Sequence, residues 1–307
     1  METRKFDIVV IGELNPDLIL SGNVVPEFGQ VEKMIDNALL TIGSSSAIFA
    51  CGAAKLGMRV AFIGKVGNDI FGRFMCQSML DYDIDIGGIV EDKETPTGIS
   101  IILSAGADRA ILTYMGTIPH LEYSDINPEI IARARHLHVG SYFMQAALRP
   151  DLSQLFNRAH EHGVSVSLDP NYDPSKKWHD GLDQLLEKVD LFLPNSRECC
   201  GIAGMSNLEQ AVDYLRSRVK YLGVKLGDKG ALLCIDQEKY YMDPISVNVI
   251  DTVGAGDSFD AGFVYGYLAG WEPKNILKFA TICGSLSTQK AGGTDAQPTF
   301  EEASHYI

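Results

Sequence analysis

At 307 residues the chain has room for one large α/β domain with, at most, a small appendage. Hydrophobic residues at 46% and aromatic residues at 9% supply a substantial core, and 21% charged residues argue against disorder. A formal charge of −14 speaks against nucleic acid or an anionic membrane as a main partner, so an anionic ligand needs a local site of amides, lysine or metal.

No apolar run reaches the roughly 18 residues of a spanning helix. Met1-Glu-Thr-Arg-Lys5 leads straight into a strand, so no signal peptide and a cytoplasmic location are expected. The six cysteines form no C-x-x-C pair and lie mostly in apolar segments, which reads as buried free thiols, with Cys199-Cys200 in a helix.

Phe6-Asp-Ile-Val-Val-Ile-Gly12 is a continuous apolar run ending in glycine, the pattern of a buried parallel strand. Glu13-Leu-Asn-Pro-Asp17 follows at the strand end where open α/β sheets place ligands. Asn15 and Asp17 there offer donors and acceptors suited to sugar hydroxyls, and an ordinary polar turn at Pro16 is the alternative. Gly43-Ser-Ser-Ser46 opens a helix from Ala47 to Leu56, where the serines can cap the helix or face a hydroxylated ligand. Val60-Ala-Phe-Ile-Gly64 is the next strand, and Val66-Gly-Asn-Asp69 leads into a helix with Phe71, Phe74, Met75 and Met79. From Ile84 to Met115 only strands follow, with Ser104-Ala-Gly-Ala-Asp108 as a hairpin turn. Having no long helix, this section reads, together with residues 14–40, as a small β appendage suited to a lid or a dimer contact.

Strands then alternate with helices again. His136-Leu-His-Val-Gly140 is followed by a helix over 150–162, Val164-Ser-Val-Ser-Leu-Asp169 by Asn171, and Leu191-Phe-Leu-Pro-Asn195 by Glu198. Val224-Lys-Leu-Gly-Asp-Lys-Gly-Ala231 continues the pattern, and helices run from 256 to about 269 and from about 273 to 289. Four strands thus end in carboxylates or amides on one predicted sheet edge. His136 and His138 alternate along a strand with no third ligand at fitting spacing, so a metal is not expected there. His160 and His162 sit at a helix C-terminus, where capping accounts for them.

The stretch with the most chemistry is Asp251-Thr-Val-Gly-Ala-Gly-Asp-Ser-Phe-Asp-Ala-Gly-Phe263. Tyr240-Tyr-Met242 and Val247-Asn-Val-Ile250 before it read as strand, and Phe259, Phe263, Gly266 and Tyr267 after it recur at helical spacing. Gly254-Ala-Gly256 therefore opens a helix whose amides and dipole favour an anion. Asp257 beside them is either the helix N-cap or a base that takes a hydroxyl proton while the amides hold the developing charge. There is no P-loop, and Gly254-Ala-Gly256 lacks the third glycine and the N-terminal position of a dinucleotide fingerprint.

Along essentially its whole length the chain resembles the ribokinase-like (pfkB) family of carbohydrate kinases. Asp251 through Phe259 is similar to the family's second signature, and Gly43 through Gly57, continuing to Gly72, to its first. The resemblance implies a three-layer α/β/α sandwich with a mainly parallel central sheet and a small β-sheet lid, one domain over 1–307 with lid segments at 14–40 and 95–116. It also implies ATP-dependent phosphorylation of a sugar hydroxyl, with Asp257 as base and the amides of Gly254, Ala255 and Gly256 as anion hole. Asn15 and Asp17 would hold substrate hydroxyls, near Gly43, Ser44, Ser45, Ser46 and Ile48. Asn195 and Glu198 match an N-x-x-E motif that helps organise Mg²⁺, through water, and phosphate. Lys225, Gly227, Gly230 and Thr281 fall in nucleotide-lining segments, and Asp251 with Val253 and the loop near Ala291-Gly-Gly293 corresponds to a monovalent-cation site, K⁺, of members that have one. A homodimer through the lid is a further expectation.

Some positions depart from the family pattern. Ser44 replaces a glycine, Ile48 a substrate-binding asparagine, Asp173 an arginine and Thr281 an asparagine. Ile48 puts ribose in doubt, and Asp173 disfavours a sugar acid. Apolar Ile48 and Phe49 keep a nucleoside kinase as an alternative, and a non-catalytic sugar- or nucleotide-binding regulator is a second one, which retention of Asp257 argues against.

Overall fold

The computed structural model describes residues 4–105 and 108–307. The chain begins with β1 (Phe6–Ile11), β2 (Pro16–Ser21), β3 (Asn37–Ile42), α1 (Ser45–Lys55), β4 (Val60–Gly67), α2 (Ile70–Asp81), β5 (Asp85–Asp92), β6 (Ile99–Ala105) and β7 (Asp108–Tyr114). The middle third holds α3 (Pro128–Ala132), β8 (Ala134–Val139), α4 (Leu152–Glu161), β9 (Ser165–Leu168), α5 (Leu182–Leu186), β10 (Leu191–Phe192), α6 (Ser196–Ala203) and α7 (Leu208–Arg216). It closes with β11 (Tyr221–Lys225), β12 (Ala231–Ile235), β13 (Glu238–Met242), α8 (Ala255–Leu268), α9 (Pro273–Leu286) and α10 (Phe300–Ser304).

The larger sheet has nine strands in the order β13-β12-β11-β10-β9-β8-β1-β4-β5, all running the same way except β12, which is antiparallel to both its neighbours. Side chains alternate across a strand, so β1 feeds two cores. Ile8 and Val10 pack with Phe49 of α1, Met75 of α2, Phe263 of α8 and Phe279 of α9. Val9 and Ile11 face the other way, toward Phe156 of α4, Ile202 of α6 and Leu215 of α7. Burial on both faces explains the unbroken apolar run at 6–12, and the result is a ribokinase-like α/β fold of three layers.

The smaller sheet, in the order β3-β2-β6-β7, pairs β2 with β6 in parallel and its other neighbours antiparallel. Its register puts Asp17, Ile19, Ile102, Ile111 and Arg109 on one face and Leu18, Leu20, Leu40, Ile101, Leu103 and Leu112 on the other. The tip of the expected hairpin at 104–108 and the first residues of the chain lie outside the described residues, while Ala105 and Asp108 pair at the hairpin's end.

Two boundaries differ from the sequence reading. Residues 85–92 belong not to the appendage but to the large sheet, where β5 lies parallel to β4 after the crossover through α2. Its glycines and acidic residues hid an edge strand of the main domain. Val247–Ile250 is not a strand. Val249 and Ile250 are exposed, Pro244 interrupts the chain after β13, and the Ile250 amide donates instead to the Thr288 carbonyl.

Candidate active site

The parallel strands end together, and β1, β8, β9, β10 and β11 deliver Glu13, Ser141, Asp169, Asn195 and Lys225 to one sheet edge. The N-terminus of α8 abuts this edge. Its N-cap is Gly254, at φ 73, so Asp257 is the third residue of the helix and not its cap. A Cβ on Gly254 would lie 2.7 Å from the backbone of Gly293 and 2.9 Å from Ile48 Cγ2, so only glycine fits both the left-handed turn and the gap. The first-turn amides of Ala255, Gly256 and Asp257 have no acceptor one helical turn back, as at any helix start. The Ala255 amide has only a long contact, 3.4 Å, to the Thr252 carbonyl.

The start of α1 meets the start of α8. The Ser45 hydroxyl donates to Asp257 Oδ1, joining two segments far apart in sequence. Gly52 lets the helices close, since a Cβ there would sit 3.2 Å from Ala261 Cβ. The three serines divide their tasks. Ser44 donates to the Glu13 carbonyl and accepts from the Ala47 amide at 3.1 Å, capping α1. Ser46 is fully buried and donates to Glu13 Oε2 at 2.7 Å, so it cannot face a ligand. Ser45 alone reaches Asp257. Gly43 is needed beside Asp17, because a Cβ there would fall 2.1 Å from Asp17 Oδ1. Asn15 is buried, and its amide makes one long contact, 3.4 Å, to the Pro16 carbonyl.

Ile48 and Phe49 are buried. Ile48 packs under Gly254 and Gly293, and Phe49 stacks on His138 with ring centroids 3.7 Å apart. His136 and His138 are buried core residues bonded to Ser165 and Ser167. Burial holds both imidazoles below their usual range, His138 at about 3. His162 caps α4, whereas His160 pairs with Asp190 at 3.0 Å rather than capping.

Carboxyl groups crowd the edge around one buried cation. Lys225 Nζ donates to Asp169 Oδ2 at 3.0 Å and to Asp260 Oδ2 at 2.9 Å. Burial alone would lower the lysine, but Asp169, Asp260 and Glu198 outweigh it and raise its pKa. Burial, then the charge of Asp169, pushes Asp257 to about 8 against the Ser45 bond and Lys225. Burial and Glu13 push Asp17 to about 7 against Arg109, and burial and Asp169 push Glu198 to about 7 against Lys225. Asp260 is raised well above the carboxylate range, by burial first, and its Oδ1 is buried without a hydrogen-bond partner among the described residues.

Asn195 and Glu198 form a capping box on α6: the Asn195 amide donates to Glu198 Oε2 at 2.8 Å and its side-chain amide to Oε1. Both Glu198 oxygens accept from Asn195, and the surplus of carboxylates over Lys225 is a donor set of the kind that suits a divalent cation. Among the described residues, no group of three His, Cys, Asp or Glu could hold a metal directly. Asp251 fits a monovalent cation poorly. It accepts from the Val253 and Gly292 amides at 3.0 Å each and pairs with Arg109 Nη1 of the small sheet at 3.5 Å. Gly227 and Gly230 bracket the turn between β11 and β12, and the Thr281 hydroxyl turns back to the Leu277 carbonyl of its own helix. Asp173, which stands where an arginine partner for an acidic group was expected, is held by its own loop, accepting from the amides of Ser175, Lys177 and Trp178.

Sequence reasoning placed Asp169 at a strand end on the predicted site edge without a specific role, and assigned no role to Glu13, Asp260 or Arg109. Asp260 had a readable signal, three residues after Asp257 and so on the same helix face. Arg109 had none, because its place depends on the register of the small sheet.

A helix N-terminus bearing a carboxylate lies over the carboxyl edge of a mainly parallel sheet, where open α/β folds bind small ligands, with a second small sheet beside it. The chain belongs to the pfkB family of carbohydrate kinases, whose description as pfkB family carbohydrate kinase matches residues 5–300. It is a phosphotransferase with an alcohol group as acceptor. It is 28% identical to the 2-dehydro-3-deoxygluconokinase of Bacillus subtilis, over 99% of this chain and 96% of that protein. It is 26% identical to the 5-dehydro-2-deoxygluconokinase of Geobacillus thermodenitrificans, over 100% and 94%. In fold it matches the ribokinase of Arabidopsis thaliana, solved with ribose and ATP, at a TM-score of 0.83 and 23% identity over 98% of each chain. The adenosine kinase of Sinorhizobium meliloti matches at 0.83 and 21%, over 94% and 95%. Among the described residues no helix is long and apolar enough to cross a membrane.

Proposed function

We propose that the protein is an ATP-dependent sugar kinase that moves the γ-phosphoryl of Mg-ATP to a hydroxyl of a small polyhydroxylated sugar. The observation that carries this is Asp257 on the first turn of α8, beside free amides and touched by Ser45 of the other signature. Asn15 and Asp17 hold acceptor hydroxyls. The acceptor oxygen bonds to the γ-phosphorus, the bond from that phosphorus to the β–γ bridging oxygen breaks, ADP leaves, and Asp257 takes the hydroxyl proton. The amides of Gly254, Ala255 and Gly256 hold the charge on the transferring group, which is positioning and electrostatics more than covalent chemistry. Asn195 and Glu198 would hold Mg²⁺ through water, and the ion would neutralise charge on the phosphates.

Ser45 holds Asp257 toward the acceptor side. The apolar pair Ile48 and Phe49, which raised a nucleoside kinase as the alternative, is packed inside. The Arg109–Asp251 pair ties the small sheet to the body, which suits a lid over the acceptor. The apolar outer face of that sheet suits a second copy of this chain, giving a homodimer.

The test is ADP release with Mg-ATP across a panel of sugars, nucleosides and dehydro-deoxy sugar acids of the kind named in the curated relatives, wild type beside Asp257→Asn. A signal with one sugar that vanishes in the variant is the expected result. A signal with nucleosides alone, or a variant within about threefold of wild type, a barrier change below ~1 kcal/mol, would overturn it.

A further inference from the structure

Lys225 is an unusual residue for its place. A buried ion pair adds little net stability over a well-packed apolar pair, because desolvating both charges costs what their attraction returns. Yet β11 ends in a lysine whose ammonium is surrounded by Asp169, Asp260 and Glu198. Burial above all raises Asp260 well above the carboxylate range, whereas at Asp169 burial is outweighed, chiefly by the Lys225 charge, and the carboxyl is lowered, so the ammonium and Asp169 favour each other's charged form.

Donor counting gives the lysine a further task. An ammonium has three N–H donors. Two go to Asp169 Oδ2 and Asp260 Oδ2, and the third has no acceptor among the described residues. The side chain is 13% exposed, whereas that of Asp260 is 1%. Its open surface lies beside the start of α8: a Cβ on Gly256 would fall 3.4 Å from Lys225 Cδ and 3.6 Å from Nζ. A bulkier residue than glycine there would crowd the ammonium away from the helix amides.

We propose that Lys225 is a catalytic residue of the phosphoryl transfer, its third N–H donating to an oxygen of the transferring γ-phosphoryl beside the Gly254–Gly256 amides. This rests on the kinase reading above. Asp169 and Asp260 clamp the ammonium from below, so it is oriented before the nucleotide arrives and pays no rotamer entropy during transfer. A cation fixed in this way acts where charge shifts onto the phosphoryl oxygens, in a site that excludes water. It also opposes the rise in the Asp257 pKa, so the same charge serves both the phosphoryl and the base.

Lysine as a contact to the phosphoryl and lysine as a mere neutraliser of Asp169 differ in one measurable way. Binding of Mg-ADP and of Mg-AMPPNP, each without acceptor, is measured by calorimetry for wild type, for Lys225→Met and for Lys225→Met/Asp169→Asn, which removes one charge of each sign. The wild type is expected to prefer the triphosphate. In the double variant, which regains the melting temperature lost in Lys225→Met, triphosphate affinity falls at least tenfold more than diphosphate affinity, and kcat falls at least a hundredfold.

A double variant that regains stability with the wild-type nucleotide preference and kcat would overturn the proposal. So would a wild type that binds both nucleotides equally. If Lys225→Met and the double variant fail to fold, Asp169→Asn alone decides the question: freed from one carboxylate, the ammonium should raise triphosphate preference at least threefold, and an unchanged or lower preference overturns the proposal. A wild type that binds nucleotide with the expected preference yet phosphorylates no sugar would sink the sugar-kinase reading and leave the lysine contact standing.

Discussion

The two sheets spend their faces differently. Ile8, Val9, Val10 and Ile11 of β1 are fully buried between two helical layers, whereas every residue of β7 in the small sheet is exposed. Ile111 on the site-side face and Leu112 on the outer face are 55% and 59% exposed. Asp257, Lys225, Asp169 and Glu198 therefore stand on a foundation closed on both sides. Asp17, at the inner end of the small sheet, is buried where that sheet meets the body, and Arg109 stands on the exposed strand β7. On the proposed reading the chemistry sits on the half closed on both sides, and recognition of the acceptor is shared with the small sheet.

The largest expected effect comes from removing the group that only the closed half provides. Asp257→Asn keeps the shape of the helix start and cannot accept a proton, so kcat should fall by roughly a thousandfold with nucleotide affinity little changed. Steady-state kinetics beside nucleotide titration measure both. Next is Gly254→Ala, which forces a Cβ into the left-handed turn and against the Gly293 backbone at 2.7 Å. We expect it to cost ~1–3 kcal/mol of stability and at least about tenfold in kcat/KM, read by denaturant unfolding and initial rates. A Gly254→Ala enzyme as stable and active as wild type would show the loop to be looser than the contrast between the two halves requires.

Acidity separates the halves in a subtler way. Asp17, Glu198 and Asp257 have raised folded pKa values of about 7, 7 and 8. A carboxyl raised in the folded state contributes stability that is complete below its unfolded pKa and is lost as pH rises through the folded value. The buried neutral histidines act in the opposite direction only below about pH 6.5. Between about pH 6.5 and 8.5 the ligand-free protein should therefore lose stability as pH rises, by on the order of 1 kcal/mol for each of the three groups. Thermal melts across that range check this, and the slope should shrink in Asp257→Asn. The same shift predicts that kcat/KM rises toward about pH 8, well above an ordinary carboxylate limb, because the free enzyme must first release the Asp257 proton.

What could be read from the sequence follows the same division. The apolar runs at 6–12 and 164–169, the strand ends at Asn195 and Asp169, and the helix opened by Gly254 were legible because period, burial and turn chemistry agree locally. The edge strand 85–92 was not, because an edge strand with Gly87-Gly88 and acidic residues carries a weak pattern. Nor could sequence tell Ser45 from Ser46: two adjacent serines at a helix start point in different directions, one to Asp257 and one into Glu13. The pairing of Lys225 with Asp169 and Asp260 joins three segments and appears only when β9, β11 and α8 meet. Asp173 was legible as a departure, but its bonds to the amides of its own loop appear only in the fold.

The smallest effect on catalysis, and the sharpest on the uncovered half, is expected from Leu112→Asp. Leu112 pairs with Ile101 in the centre of the outer face, flanked by Leu18 and Leu40 across the sheet. A carboxylate there touches no residue of the site and replaces a side chain already 59% exposed, so monomer stability should change by no more than ~0.5 kcal/mol. Facing a second copy, the same charge would be buried against an apolar surface without a partner, which no interface of this kind tolerates. Sedimentation of wild type beside Leu112→Asp should show a dimer that becomes a monomer. If the wild type sediments as a monomer at micromolar concentration, the outer face is not closed by a second copy. If both proteins sediment as dimers, the copies meet elsewhere, and the contrast between a covered and an uncovered sheet holds within each chain.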